Sequence, residues 1–174
     1  ASKVDVTDAA VVISDAAFNA GNNNVTIAAS DLKNIGNATT GTVTVSNAIR
    51  ISGTASDVTA ALVTSGSKVI AAKSGTIANV TTTVSASQGA GYTTISNVNA
   101  QFSNGVEDSI ANLTKSATEI SDNLLAITND NGAALVTIND SAYDGTNNDN
   151  SILATRLSAI GNATTGTVTV SNAV

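Results

Sequence analysis

At 174 residues the chain is long enough for one domain with a real core, yet it has no His, Cys, Trp, Met or Pro, which removes thiol nucleophiles, thiolate metal sites, disulfides and imidazole bases together. Its net charge of −6, with only 11% charged and 42% hydrophobic residues, excludes nucleic acid and anionic membrane surfaces as partners and does not fit a disordered chain. No apolar run approaches the roughly 20 residues of a membrane span, so membrane insertion is not expected.

In chain order, Val25-Thr26-Ile27 alternates apolar with hydroxyl residues and reads as a short, half-buried strand. Ser30 reads as the N-cap of a brief helical spacing over residues 30–36. Thr42-Val43-Thr44-Val45 reads as a second strand, and Ser56 caps another helical stretch over 56–63. Thr82-Thr83-Val84 and Tyr92-Thr93-Thr94-Ile95 are expected as strands. Val106, Ile110, Leu113, Ala117, Ile120 and Leu124 follow a spacing of four and three that fits one face of an amphipathic helix, or else two corners of a coil. Val136-Thr137-Ile138 and Thr167-Val168-Thr169-Val170 complete the expected strands.

With only four aromatic residues, Phe18, Tyr92, Phe102 and Tyr143, the core is built from Val, Ile, Leu and Ala in thin layers. Short strands, thin aliphatic layers, no proline and Asn or Gly at the bends predict a mainly β fold, a parallel β-solenoid of tandem repeats with short helical corners. Tandem immunoglobulin-like β-sandwiches are the alternative, disfavoured by the scarcity of core aromatics.

The strongest signal is internal. Ile35-Gly36-Asn37-Ala38-Thr39-Thr40-Gly41-Thr42-Val43-Thr44-Val45-Ser46-Asn47-Ala48 recurs unchanged from Ile160 to Ala173, 125 residues on. Extended backwards, the register aligns 13–49 with 138–174 and matches Asp15 with Asp140, Phe18 with Tyr143, Ile27 with Ile152 and Leu32 with Leu157. Differences such as Asp31 against Arg156 flank apolar positions and read as surface drift. Residues 1–174 are therefore expected to form one continuous repeat array with a 125-residue superrepeat and no separate domains. Echoes such as Thr81-Thr82-Thr83-Val84-Ser85 suggest a shorter inner unit of roughly 35 to 40 residues, and the array is expected to be part of a longer parent.

Candidate chemistry is sparse. Ser67-Lys68 and Lys73-Ser74-Gly75 are chance neighbours rather than dyads, and the two Glu, Glu107 and Glu119, do not suggest a glycosidase pair without an aromatic platform. Asn139-Asp140-Ser141-Ala142-Tyr143-Asp144-Gly145-Thr146-Asn147-Asn148-Asp149-Asn150 gathers the hard oxygen ligands a calcium site needs. The corresponding loop, 15–24, keeps one carboxylate of three, so Asx turns at a corner are the expected reading and a structural calcium the alternative. Thr42 and Thr44 with Thr167 and Thr169 could form a Thr-x-Thr ice-binding face, against the simpler reading of β-propensity on a solvated surface. Six Asn-x-Ser/Thr sequons, at Asn24, Asn37, Asn79, Asn112, Asn139 and Asn162, are no more than chance provides at this composition. No catalytic, cofactor-binding or metal-binding residue is assigned, and no cofactor is expected.

Ile51-Ser52-Gly53-Thr54-Ala55-Ser56-Asp57-Val58-Thr59-Ala60-Ala61-Leu62, the segment from Ile35 to Val45, and Ile120-Ser121-Asp122-Asn123-Leu124-Leu125 resemble the repeats of giant secreted bacterial β-strand-repeat proteins, frequent in cyanobacteria. The resemblance implies export and a role in surface layers, adhesion, cell-associated fibres or motility coats; the calcium-binding nonapeptides of that family have no match here. The expectation is a structural or adhesive repeat segment of a bacterial extracellular or cell-surface protein, not an enzyme, which associates with further repeats or copies of itself into a fibre or surface layer. The alternative is a binding module, for ice through the Thr rows or for surface glycans or other extracellular matrix.

Overall fold

The computed structural model describes residues 7–21, 25–146 and 151–174. Among these, the chain forms ten strands: β1 Val11–Ile13, β2 Thr26–Ala28, β3 Val43–Val45, β4 Arg50–Gly53, β5 Val69–Ala71, β6 Thr76–Val80, β7 Val98–Phe102, β8 Val106–Asp108, β9 Val136–Ile138 and β10 Val168–Val170. Between them lie six α-helices: α1 Ala29–Asn37, α2 Ala55–Val58, α3 Ala86–Thr93, α4 Ile110–Leu113, α5 Asp122–Asp130 and α6 Ala154–Ala163. A π-helical turn, Thr59–Val63, extends α2.

Every registered strand pair is parallel, in three small sheets ordered β1-β3-β5, β2-β4-β6-β7 and β10-β9-β8. Helix takes about 30% and strand about 24% of the structure. The fold is α/β, which overturns the mainly β solenoid expected from the sequence. The sandwich alternative fails too, because immunoglobulin-like sheets are antiparallel. The physical reason is connectivity: parallel neighbours cannot be joined by a tight hairpin, and here the crossovers carry helices. Those helices are rich in Ser, Thr and Asn, which lean towards caps, turns and strands in a propensity reading; burial of their small apolar faces decides otherwise.

The chain divides into two compact units, one containing the residues up to Thr81 with 95–99, the other 82–94 with 100–174. In the first, Val11↔Val43↔Val69 and Val45↔Ala71 stack in register, and Ile51↔Ala78 does so in the neighbouring sheet. Val43, Val45, Ile51, Ala71, Ala78 and Val80 are buried together with Leu32 of α1, Val58 of α2 and Ala61 of the π turn. Each large aliphatic buried this way contributes about 1.5–3 kcal/mol. Ser30 and Ser56 are not the caps: α1 follows Ala28 without a side-chain cap bond, and α2 is capped by Thr54, whose hydroxyl accepts from the Asp57 N–H at 3.2 Å. The Arg50 guanidinium lies 4.4 Å above the centre of the Phe18 ring, within the range where the ring's negative face attracts a cation.

In the second unit, α3 packs on α5. Gly89 permits the approach, since a Cβ there would stand 2.7 Å from Ile127 Cδ1. Tyr92 and Phe102 meet with ring centroids 6.2 Å apart and tilted by 45°. Residues 92–95 are thus not a strand: Ser85 accepts from the Gln88 N–H at 3.2 Å and starts a helix that carries Tyr92 into the core. Residues 82–84 form no strand, though Val84 makes a parallel bridge to Val106. Nor is 106–124 one helix. It divides into β8, α4 and the start of α5, with a Thr114↔Ile120 antiparallel bridge closing the loop between the helices; Ser121 caps α5 by accepting from the Leu124 N–H at 3.2 Å.

Candidate assembly surface

The two sequence-identical segments bind the preceding pass of chain through the same atoms. Thr39 Oγ1 donates to the Ala9 carbonyl at 2.5 Å and accepts from the Gly41 N–H at 2.9 Å; Thr164 Oγ1 donates to Ala134 at 2.6 Å and accepts from Gly166 at 2.9 Å. Ser46 Oγ donates to Ile13 at 3.0 Å and Ser171 Oγ to Ile138 at 3.1 Å. Asn47 Nδ2 reaches the Asp15 carbonyl at 2.8 Å and Asn172 Nδ2 the Asp140 carbonyl at 2.7 Å. The Phe18 and Tyr143 N–H groups donate to Ala48 and Ala173, both at 2.7 Å. Apart from the local Gly41 and Gly166 bonds, each joins one layer of chain to the next, so the hydroxyl and amide side chains act as ties between layers.

Carboxylates also tie a later layer to an earlier one, as acceptors instead of donors. Asp108 Oδ2 accepts from the Ala86 N–H at 3.0 Å, at the first residue of α3. Asp140 Oδ2 accepts from the Ile110 N–H at 2.7 Å, at the first residue of α4. A negative charge on unpaired N-terminal amides stabilises both helices. Asp130 Oδ2 likewise takes the Ala100 N–H at 2.5 Å. Sequence reasoning missed these roles, which depend on residues 22 to 30 positions away.

Where the identical segments differ is in what covers them. Val43 and Val45, overlaid by β5, are 0% exposed, whereas Val170 in the same sequence context is 37% exposed and Val168 is half-buried. Val136 and Ile138, flanked by β8, are buried, while Val11 and Ile13 on the edge strand β1 are only half-buried. Val12 is 64% exposed. Ala29 and Leu32 of α1 are buried beside α2, but Ala154 and Leu157 of α6 are not. Asp15, the counterpart of Asp140, has no hydrogen bond to its carboxylate among the described residues. Neither β1 nor β10 carries the Lys, Pro or bulge that usually blunts an edge.

The other candidates fall elsewhere. Ser67 Oγ is committed to the Ala61 carbonyl and accepts from the Val69 N–H, in a groove of about 220 Å³ lined by Lys33, Asn37, Thr64 and Lys68. Lys33 there pairs with Asp57 at 3.6 Å. The Lys73 carbonyl accepts from Thr76 Oγ1 at 2.9 Å. Glu107 accepts from Asn139 and Glu119 from Ser116, in separate local networks. In the acidic bend, Asp140 is occupied as a cap and Asp144 makes an Asx turn, accepting from the Thr146 N–H at 2.9 Å; residues 147–150 and, in the earlier loop, 22–24 lie outside the described residues. Among the described residues no group of three acidic side chains could hold a metal ion, and no helix is long and apolar enough to cross a membrane. The Thr rows are interrupted: across the strands they read Val12–Thr44–Ile70 and Glu107–Thr137–Thr169. Lys115 is held charged above the usual lysine range by its hydrogen bond to Asp122 and by the charges of Asp122 and Glu119.

Comparison with protein-family models, with curated proteins and with solved structures finds no match to this chain.

Proposed function

We propose that the chain is a non-catalytic structural repeat segment of a bacterial extracellular or cell-surface protein, and that its work is to associate with further copies of itself into a fibre or layer. The observation that carries the reading is the pair of identical segments that tie themselves to the preceding layer through the same atoms: Thr39 and Thr164, Ser46 and Ser171, and Asn47 and Asn172 each bond the matching carbonyl of the layer before. A bonding pattern that recurs at each repeat can join further repeats or copies in the same way. Ice binding through Thr rows is the weaker reading, because Val12, Ile70 and Glu107 break each row.

Sedimentation velocity across a hundredfold concentration series, with electron microscopy of the same samples, tests the proposal. Filaments or sheets that grow with concentration are expected. A monomer that stays dispersed throughout would overturn it.

A further inference from the structure

Resting on that repeat reading, we infer that the seam between one layer and the next is a recognition surface that does not tell one repeat from another. The acceptor segments 7–18 and 132–143 each fit any segment with the sequence of the tying residues 35–48, including one carried on a separate polypeptide.

Both sides of the seam agree in the two places where it occurs. On the tying side, fourteen residues are identical. On the acceptor side, identities alternate with differences. Ala9, Val11, Ile13 and Asp15 match Ala134, Val136, Ile138 and Asp140. The residues between them differ, Ala10, Val12 and Ser14 against Leu135, Thr137 and Asn139, and all of these but the half-buried Thr137 are exposed. The bonds across the seam go to backbone carbonyls, which every residue carries alike. The Thr40 and Thr165 N–H groups donate to Thr7 and Gly132 at 2.7 and 2.8 Å, and those of Ser46 and Ser171 to Ile13 and Ile138, both at 2.9 Å. The strands share one register, Val43 opposite Val11 and Val168 opposite Val136. Shape selects the tying sequence. A Cβ at Gly41 would lie 2.5 Å from the Asp8 carbonyl oxygen, and one at Gly166 2.5 Å from that of Ala133, so only glycine passes there. What assigns each tying segment to its acceptor is therefore the chain between them. The spans 19–34 and 144–159 are equal in length, and short tethers hold their ends at an effective concentration on the order of millimolar. A tying segment supplied in trans at that concentration competes with the tethered one.

A synthetic peptide of residues 160–173 carrying Thr169→Cys is the probe. The chain has no native cysteine, so full-length Val12→Cys and Thr137→Cys chains each place one thiol on one acceptor, opposite the position that Thr44 or Thr169 holds. Each chain is diluted from urea into peptide at about 0.1 to 5 mM and oxidised mildly. Both chains should link the peptide, in yields within about twofold of each other and half-maximal at about 1 mM. Peptide that also carries Gly166→Ala should link about tenfold less. Ala10→Leu, Val12→Thr and Ser14→Asn together turn 9–15 into the sequence of 134–140, and this full-length chain should keep the native circular dichroism and urea midpoint. Linkage to one acceptor alone, linkage no greater than with the Gly166→Ala peptide, or a lowered midpoint in the triple variant would show that each acceptor reads its own tying segment, and the inference would be wrong. A native chain that stays a monomer in sedimentation while both acceptors link the peptide overturns assembly and leaves this recognition standing.

Discussion

Thr39 and Thr164 do at single-residue scale what the fold repeats everywhere: one hydroxyl satisfies a carbonyl of the previous layer and an N–H of its own. The identity of the surrounding fourteen residues was legible in the sequence. The role of each was not, because a Thr facing water and a Thr tying two layers look alike when the partner lies 30 or more residues away. Gly41 shows the same limit. It reads as a turn residue, yet its constraint is steric, since a Cβ would lie 2.5 Å from the Asp8 and 2.6 Å from the Ala9 carbonyl oxygen. Gly41→Ala should therefore lower stability by about 2–3 kcal/mol, as overpacking against backbone does. Gly91, within α3 and with nothing within 4 Å of its would-be Cβ, is the contrast: Gly91→Ala should raise stability by about 0.5–1 kcal/mol. Urea unfolding of the two variants against the native chain checks both signs.

Strands that alternate Val with Thr were legible: the expected segments 42–45, 136–138 and 167–170 coincide with β3, β9 and β10 to within a residue. The expected strand at 92–95 shows what local pattern lacks. Tyr, Thr and Ile favour strands, but the local Ser85 cap and the groove that Gly89 opens for Ile127 select a helix, and the second of these depends on tertiary packing. Strands such as Val69–Ala71 gave no alternation to read, being a continuous run of apolar residues that Ala72 extends. The carboxylate caps were invisible for the reason that hid the Thr ties. Asp140→Ala should cost about 1–2 kcal/mol by leaving the α4 amide of Ile110 without its charged acceptor, read as a lower urea midpoint with unchanged slope. Backbone amides give a second check. Within one identical sequence the Val43 N–H is bonded to Lys68, while β10 has no strand on the matching side among the described residues, so hydrogen exchange in the 174-residue chain should be much slower at Val43 than at Val168.

For the molecule as a whole, charge and edge act against each other. Copies carrying −6 repel at long range, whereas the segments that tie layers together, 39–48 and 164–173, are uncharged. Salt shortens the repulsion to a Debye length of about 10 Å at 0.1 M, so the concentration required for assembly should fall as sodium chloride rises from about 10 to 300 mM, an effect light scattering measures directly; a rise would show that ion pairs, not backbone, hold the contact. The identity of the two tying segments also bears on folding. Residues 39–48 and 164–173 offer the same hydroxyls and amides, and the carbonyls they meet, at Ala9, Ile13 and Asp15 and at Ala134, Ile138 and Asp140, are spaced alike. A chain that closes the wrong pair first must open it again before it reaches the native layers, so sequence identity is a source of slowly refolding molecules as well as of order.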